Sequence, residues 1–147
     1  MQKFSKKSGL TLIEILCALN IITIFSLFFI SLQLNNIRLK RYNSDKMLYL
    51  QVMQHVKEEL YNNLTYEEIR TLKTENKKYV DYEKLSLDII KNNDIKVLFS
   101  SSLTHTNKTY LIIEIDVGTA LRIDEILHFK YSNKEDIITS TFFKGNY

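Results

Sequence analysis

Residues 7–33 read KSGLTLIEILCALNIITIFSLFFISLQ, and the architecture turns on them. Leu10–Leu32 runs for 23 residues with Glu14 as its only formal charge and Asn20 as its main polar interruption. A helix of that length is roughly 34 Å long, enough to cross a hydrocarbon core of about 30 Å with some tilt. Glu14 then sits at the mouth of a bilayer-length helix. Insertion scales charge roughly 2.5–3.5 kcal/mol for an ionised residue at a helix centre, so an acid in this run needs something to compensate it. Cys17 is the only cysteine, which excludes an intrachain disulfide and a cysteine-based metal site. It reads as a small apolar residue facing lipid or another helix.

Three readings compete for the N-terminus. A secretory signal peptide has a shorter apolar stretch and a small-x-small cleavage site, whereas this run ends in Ser31-Leu32-Gln33. A plain signal anchor fits the length but gives no reason for Glu14. The third reading is a leader cut on the cytoplasmic side, just before the helix. Charge fits a separate leader: of 20 basic residues against 17 acidic ones, Lys3, Lys6 and Lys7 lie before Leu10 with no acid among them. The remainder balances at 20 − 3 = 17 of each sign, so net charge gives no support for a nucleic-acid surface. Arg38, Lys40 and Arg41 follow the apolar run, which leaves the orientation rule weak.

Lys7-Ser8-Gly9 followed by Leu10-Thr11-Leu12-Ile13-Glu14 resembles the processing and methylation motif of type IV prepilins and pseudopilins. The resemblance implies that a membrane prepilin peptidase cuts between Gly9 and Leu10 and methylates the new amine of Leu10. It makes Thr11, Leu12 and Ile13 motif positions and Glu14 the fifth mature residue. It further implies that Glu14 of one subunit pairs with the Leu10 amine of a neighbour, other pilin or pseudopilin subunits and the pilus assembly machinery being the partners. An unpaired buried carboxylate is strongly penalised and a paired one is tolerated, so such a contact would select one stagger between neighbours. The motif covers the first quarter of the chain. Leu10 stands where phenylalanine is common in that family, and the chain has no proline to kink the helix.

Beyond Leu32, Tyr49, Val52, Met53, Val56 and Leu60 recur at three- and four-residue steps, one face of an amphipathic helix. Neither proline nor glycine interrupts Leu10–Asn63, a span of about 80 Å if wholly helical. Asn35-Asn36 and Asn43-Ser44 are its weak points, and Asn62-Asn63 its end. Thr65-Tyr66-Glu67-Glu68 matches a capping box opening a short helix to about Lys73. Thr74–Lys84 reads as a loop, and Leu85–Ile90 fits either a helical turn or a strand, with the strand favoured. Ile95–Phe99, Tyr110–Val117, Leu127–Tyr131 and Ile137–Phe143 are rich in β-branched and aromatic residues, with polar breaks at His105–Lys108, Gly118–Ala120 and Ser132–Glu135. Strands joined by short turns predict an antiparallel meander. Leu111, Ile113, Ile115 and Val117 form its buried face, covered by the amphipathic helix.

Other chemistry has less to recommend it. His55, His105 and His128 lack metal-ligand spacing. Asp116, Asp124 and Glu125 flank Gly118, where a solvated acidic turn is favoured over a calcium site. Ser100-Ser101-Ser102 has no nucleophile context, and three glycines leave no phosphate-cradling loop. Lys77-Lys78 with Tyr79, and Lys108 with Tyr110, read as solvated loop residues before they read as DNA contacts.

The expectation is therefore an α+β chain with a long N-terminal α-helix, transmembrane in one half and amphipathic in the other, packed on a small antiparallel β-sheet in the pilin manner. Residues 1–9 are a cleaved leader, 10–33 a transmembrane and filament-core helix, 34–63 its amphipathic continuation and 64–147 a globular head. The expected role is a structural subunit, minor pilin or pseudopilin, of a type IV pilus-like filament, with no catalytic residue, metal or cofactor. It would wait in the cytoplasmic membrane as a single-pass protein with its C-terminal head outside, then join a cell-surface or envelope filament. The alternatives are a filament-tip module binding DNA or a surface, and an anchored ectodomain that never polymerises.

Overall fold

The computed structural model describes residues 11–132 and 134–145. The chain divides into two compact units, residues 1–41 and 42–147, with the division inside the first helix, α1 (Leu12–Glu58).

In the first unit, α1 is apolar on every side and uncovered: Leu12 is 74% exposed, Phe25 59% and Leu32 42%. A helix lying on a globular core buries one stripe; this part of α1 buries none. Two of its hydroxyls are satisfied within the helix. Thr23 Oγ1 donates to the Leu19 carbonyl and Ser26 Oγ to the Ile22 carbonyl, both at 2.8 Å. Such back-bonding meets the demand that polar groups in hydrocarbon be satisfied within the segment. The helix is long and apolar enough to cross a membrane.

The second unit is α+β. The later part of α1 buries Val52, Met53 and Val56, and Leu60 follows in a π-helical turn, Glu59–Asn63, with Tyr42 and Tyr49 packed against the same core. The Leu64 amide closes that turn on the Glu59 carbonyl at 3.3 Å. The orphan carbonyls at the helix end are taken by Lys144, whose Nζ donates to the carbonyls of Leu60 (3.2 Å), Tyr61 (2.5 Å) and Leu64. Helix α2 (Tyr66–Thr74) opens on the Thr65–Glu68 capping box and ends on Asn76. Asn76 adopts the left-handed conformation (φ 53°), and the Lys77 amide reaches back to the Leu72 carbonyl at 2.9 Å.

The sheet is an antiparallel meander in the order β1 (Tyr79–Val80), β2 (Tyr110–Val117), β3 (Leu121–Tyr131) and β4 (Lys134–Lys144). Val80 pairs with Leu111, Ile113 with Glu125 and Leu127 with Ile138. Leu111 and Ile113 of β2 and Leu121, Ile123, Leu127 and Phe129 of β3 fill the core beside the α1 residues. The alternation expected along β2 holds for Leu111 and Ile113 and fades at Val117, 39% exposed beside the hairpin.

Several sequence expectations need correction. Ile95–Phe99 is not a strand; Ile95–Leu98 is a helical turn (α4), opened by Asp94, whose carboxylate accepts from the Lys96 amide at 2.9 Å. Burying Ile95 and Leu98, three residues apart, is a helical demand that outweighs β-branched content. At Leu85–Ile90 the favoured strand gives way to the helical alternative. Helix α3 (Leu87–Asn92) starts from Ser86, whose hydroxyl accepts from the Ile89 amide at 3.3 Å. The Thr74–Lys84 loop contains β1 and a 3₁₀ turn at Tyr82–Lys84. Strand β3 starts at Leu121 rather than Leu127, and α1 passes through Asn35-Asn36 and Asn43-Ser44 unbroken.

Candidate functional site

Thr11 is the first described residue of the motif; Gly9 and Leu10, the expected cleavage and methylation positions, lie outside the described residues. Thr11 stands immediately before α1 and Glu14 in its first turn. The Thr11 amide donates to Glu14 Oε2 at 2.7 Å, and the Thr11 hydroxyl donates to the same oxygen at 3.1 Å. The Glu14 amide lies 3.3 Å from Thr11 Oγ1, and the Ile15 amide closes the first turn on the Thr11 carbonyl at 3.2 Å. This is a capping box, built like the one at Thr65 and Glu68, where the corresponding distances are 2.8, 2.9 and 3.3 Å. Within one chain, the neighbouring threonine and the positive end of the helix compensate Glu14. Both residues are exposed, and so are Leu12 and Ile13, at 74% and 72%.

In the sequence Thr11 stands out only as a motif position. Its partnership with Glu14 was nevertheless signalled, because Thr-Leu-Ile-Glu has the same Thr-x-x-Glu spacing that marked Thr65–Glu68.

The other candidates are dispersed. Among the described residues, no three His, Cys, Asp or Glu side chains gather as metal donors. His55 Nδ1 lies 3.7 Å from Glu58, His105 Nδ1 4.0 Å from Glu83 and His128 Nδ1 2.9 Å from Glu135. Asp116, Asp124 and Glu125 are not in one acidic turn. Asp116 is in β2, Asp124 accepts from Thr141 and Arg122 on β4 and β3, and Glu125 faces the core. Ser100 Oγ donates to the carbonyls of Tyr79 and Ser102. The basic–aromatic pairs come together differently from the sequence expectation. Lys78 lies over Tyr79 (5.2 Å), Lys108 over Tyr82 (4.7 Å) and Lys130 over Tyr110 (5.7 Å), whose ring stacks on His128 at 4.5 Å.

Glu125, expected from the sequence in a solvated acidic turn, is instead in the core. It is fully buried, and neither carboxylate oxygen reaches a donor among the described residues. Burial pushes it up to about 8, with the charge of Lys57 pulling in the opposite direction. Comparison of the chain with models of known families, with curated proteins and with solved structures gives no match.

Proposed function

We propose that this chain is a structural subunit, a minor pilin or pseudopilin, of a type IV pilus-like filament. A prepilin peptidase cuts it between Gly9 and Leu10 and methylates the Leu10 amine. The chain then leaves the cytoplasmic membrane for the filament, with its head on the outer side throughout. The observation that carries this reading is an apolar helix uncovered on all sides, opening on a Thr11–Glu14 capping box directly after Gly9-Leu10.

The capping box sharpens the proposed chemistry. Thr11 holds the Glu14 carboxylate at the helix mouth, where it is stabilised while the subunit waits alone. Both intrachain bonds end on Oε2. A carboxylate has about four lone-pair directions, so a neighbour's amine can join without displacing Thr11. Assembly then adds a charge-assisted bond to an acid already oriented for it.

Gly9→Val tests the processing step. A branched side chain at the scissile position obstructs a cleft that must approach the backbone closely. The variant is expected to accumulate at full length in the membrane and to be missing from sheared filaments. Normal cleavage and incorporation would overturn the proposal.

One observation favours a second reading, a filament-tip subunit that binds DNA or a surface. Tyr79, Tyr110, His128 and Lys130 share the sheet face turned away from the core, by the register of β1, β2 and β3. Glu135 takes up part of that charge, bonding His128 at 2.9 Å and lying 3.5 Å from Lys130, so the filament reading stands first.

A further inference from the structure

Strand β3 carries Leu121, Ile123, Glu125, Leu127 and Phe129 on its inward face, and all five are buried. Four are apolar, as the position demands; the central one is an acid. Across the strands Glu125 stands opposite Ile113 of β2 and Ser140 of β4, under the residues of α1 that close the core. An apolar side chain would be the stable choice at this point, since a buried carboxylate with no donor is penalised whenever it is charged.

The charges facing it from the packed elements are few. On α1, Lys57 is the cation whose field reaches it, and its Nζ lies 5.6 Å from the Phe142 ring centre. On the inward face of β4, Asp136 is taken by Tyr42 and Lys46, and Lys144 by the carbonyls of Leu60, Tyr61 and Leu64. On β2, Glu114 and Asp116 alternate out of the core, as Arg122 and Asp124 do on β3. Among the described residues, Glu125 is thus an acid without a hydrogen-bond partner at the seam between α1 and the sheet, with Lys57 as the cation nearby on the helix.

We propose that Glu125 is a proton-held lock on this seam: protonated, it lets α1 lie closed on the sheet, and ionised, it drives the Val52–Leu60 segment to open. The charged form must reach water or the Lys57 ammonium, and both require α1 to move outward. Burial holds the folded group near 8, against 4.5 for the ordinary carboxyl. Between these values the folded chain holds a proton that the unfolded chain has released, so stability falls as pH rises through that window and levels off above it. The seam is tightest in acid, loosens as pH rises through neutral, and is loosest above about 8. This inference rests on the head alone and is independent of the filament reading.

The test uses the full chain in lipid nanodiscs. The infrared carbonyl band of a protonated carboxylic acid is expected to persist at neutral pH, to vanish with a midpoint near 8, and to be missing from Glu125→Gln. Backbone hydrogen exchange of Val52–Leu60, corrected for its intrinsic pH dependence, is expected to rise by up to tenfold per unit between 4.5 and about 8 in the natural chain and to level off above. It should stay flat in Glu125→Gln and in the apolar variant Glu125→Met, which serves if Gln fails to fold. Lys57→Met, which removes the opposing positive field, is expected to move the midpoint upward. A band that titrates near 4.5, or the same pH dependence in the Glu125 variants, would overturn the lock.

Discussion

Glu14→Ala is expected to enter the membrane and be processed as the natural chain is, yet to be lost from filaments at least a hundredfold. Two roles of the carboxylate must be separated to read this result. The capping box contributes on the order of 1 kcal/mol to the first helical turn, too little to unfold a long apolar helix held by lipid. An ion pair broken in an apolar surrounding costs about 3–5 kcal/mol, because the stranded amine of the neighbour stays charged. About 2.7 kcal/mol already corresponds to a hundredfold change in an equilibrium, so pairing dominates if the proposed contact forms. Glu14→Gln discriminates directly, since glutamine serves in a capping box but carries no charge. The ratio of filament to membrane protein should be as low for Gln as for Ala. Rescue by Gln would make Glu14 a cap and nothing more.

Phe129→Ala is the second large effect, and it concerns the head. Phe129 is buried on β3, with ring centres 5.5 Å from Tyr42 and 5.6 Å from Tyr49 on α1. It also lies 6.4 Å from Tyr131. No single neighbour can fill the space it leaves, because three aromatic side chains are arranged around it. Removing a buried phenylalanine costs about 3–5 kcal/mol, a large fraction of the 5–15 kcal/mol that domains typically have. Urea unfolding of the full chain, followed by tyrosine fluorescence, should show a midpoint lowered accordingly with little change in slope. A loss under about 1 kcal/mol would mean that α1 is not seated on this part of the sheet.

Much of the fold was legible because several signals agreed. The face formed by Tyr49, Val52, Met53 and Val56 of α1 and Leu60 of the π-helical turn was readable from helical spacing, and all five reach the core. Strands β2 and β4 were readable from composition and from the polar breaks beside them. The errors have a common source. In Ile95–Leu98 and Leu87–Asn92, β-branched and aliphatic content points to strand, while the caps before them, Asp94 and Ser86, point to helix. In such short segments the cap determines the backbone path more than the side-chain type does.

The first half of β3 was hidden for a different reason. Residues 121–125 alternate Leu, Arg, Ile, Asp and then Glu, so the strand pattern breaks at the residue that violates the burial rule. A position where local pattern and burial disagree is where function or strain is expected. At the N-terminus, Gly9 to Glu14 was legible as a motif, and the Thr11–Glu14 contact was implicit in its spacing.

The most direct measurement is the intact mass of the protein recovered from membranes with and without an active prepilin peptidase. The account predicts loss of residues 1–9 and gain of one methyl group on Leu10 when the enzyme is present, and the full-length mass when it is absent. A chain that keeps its first nine residues in the presence of the peptidase, or that is cut after Ser31, would contradict it.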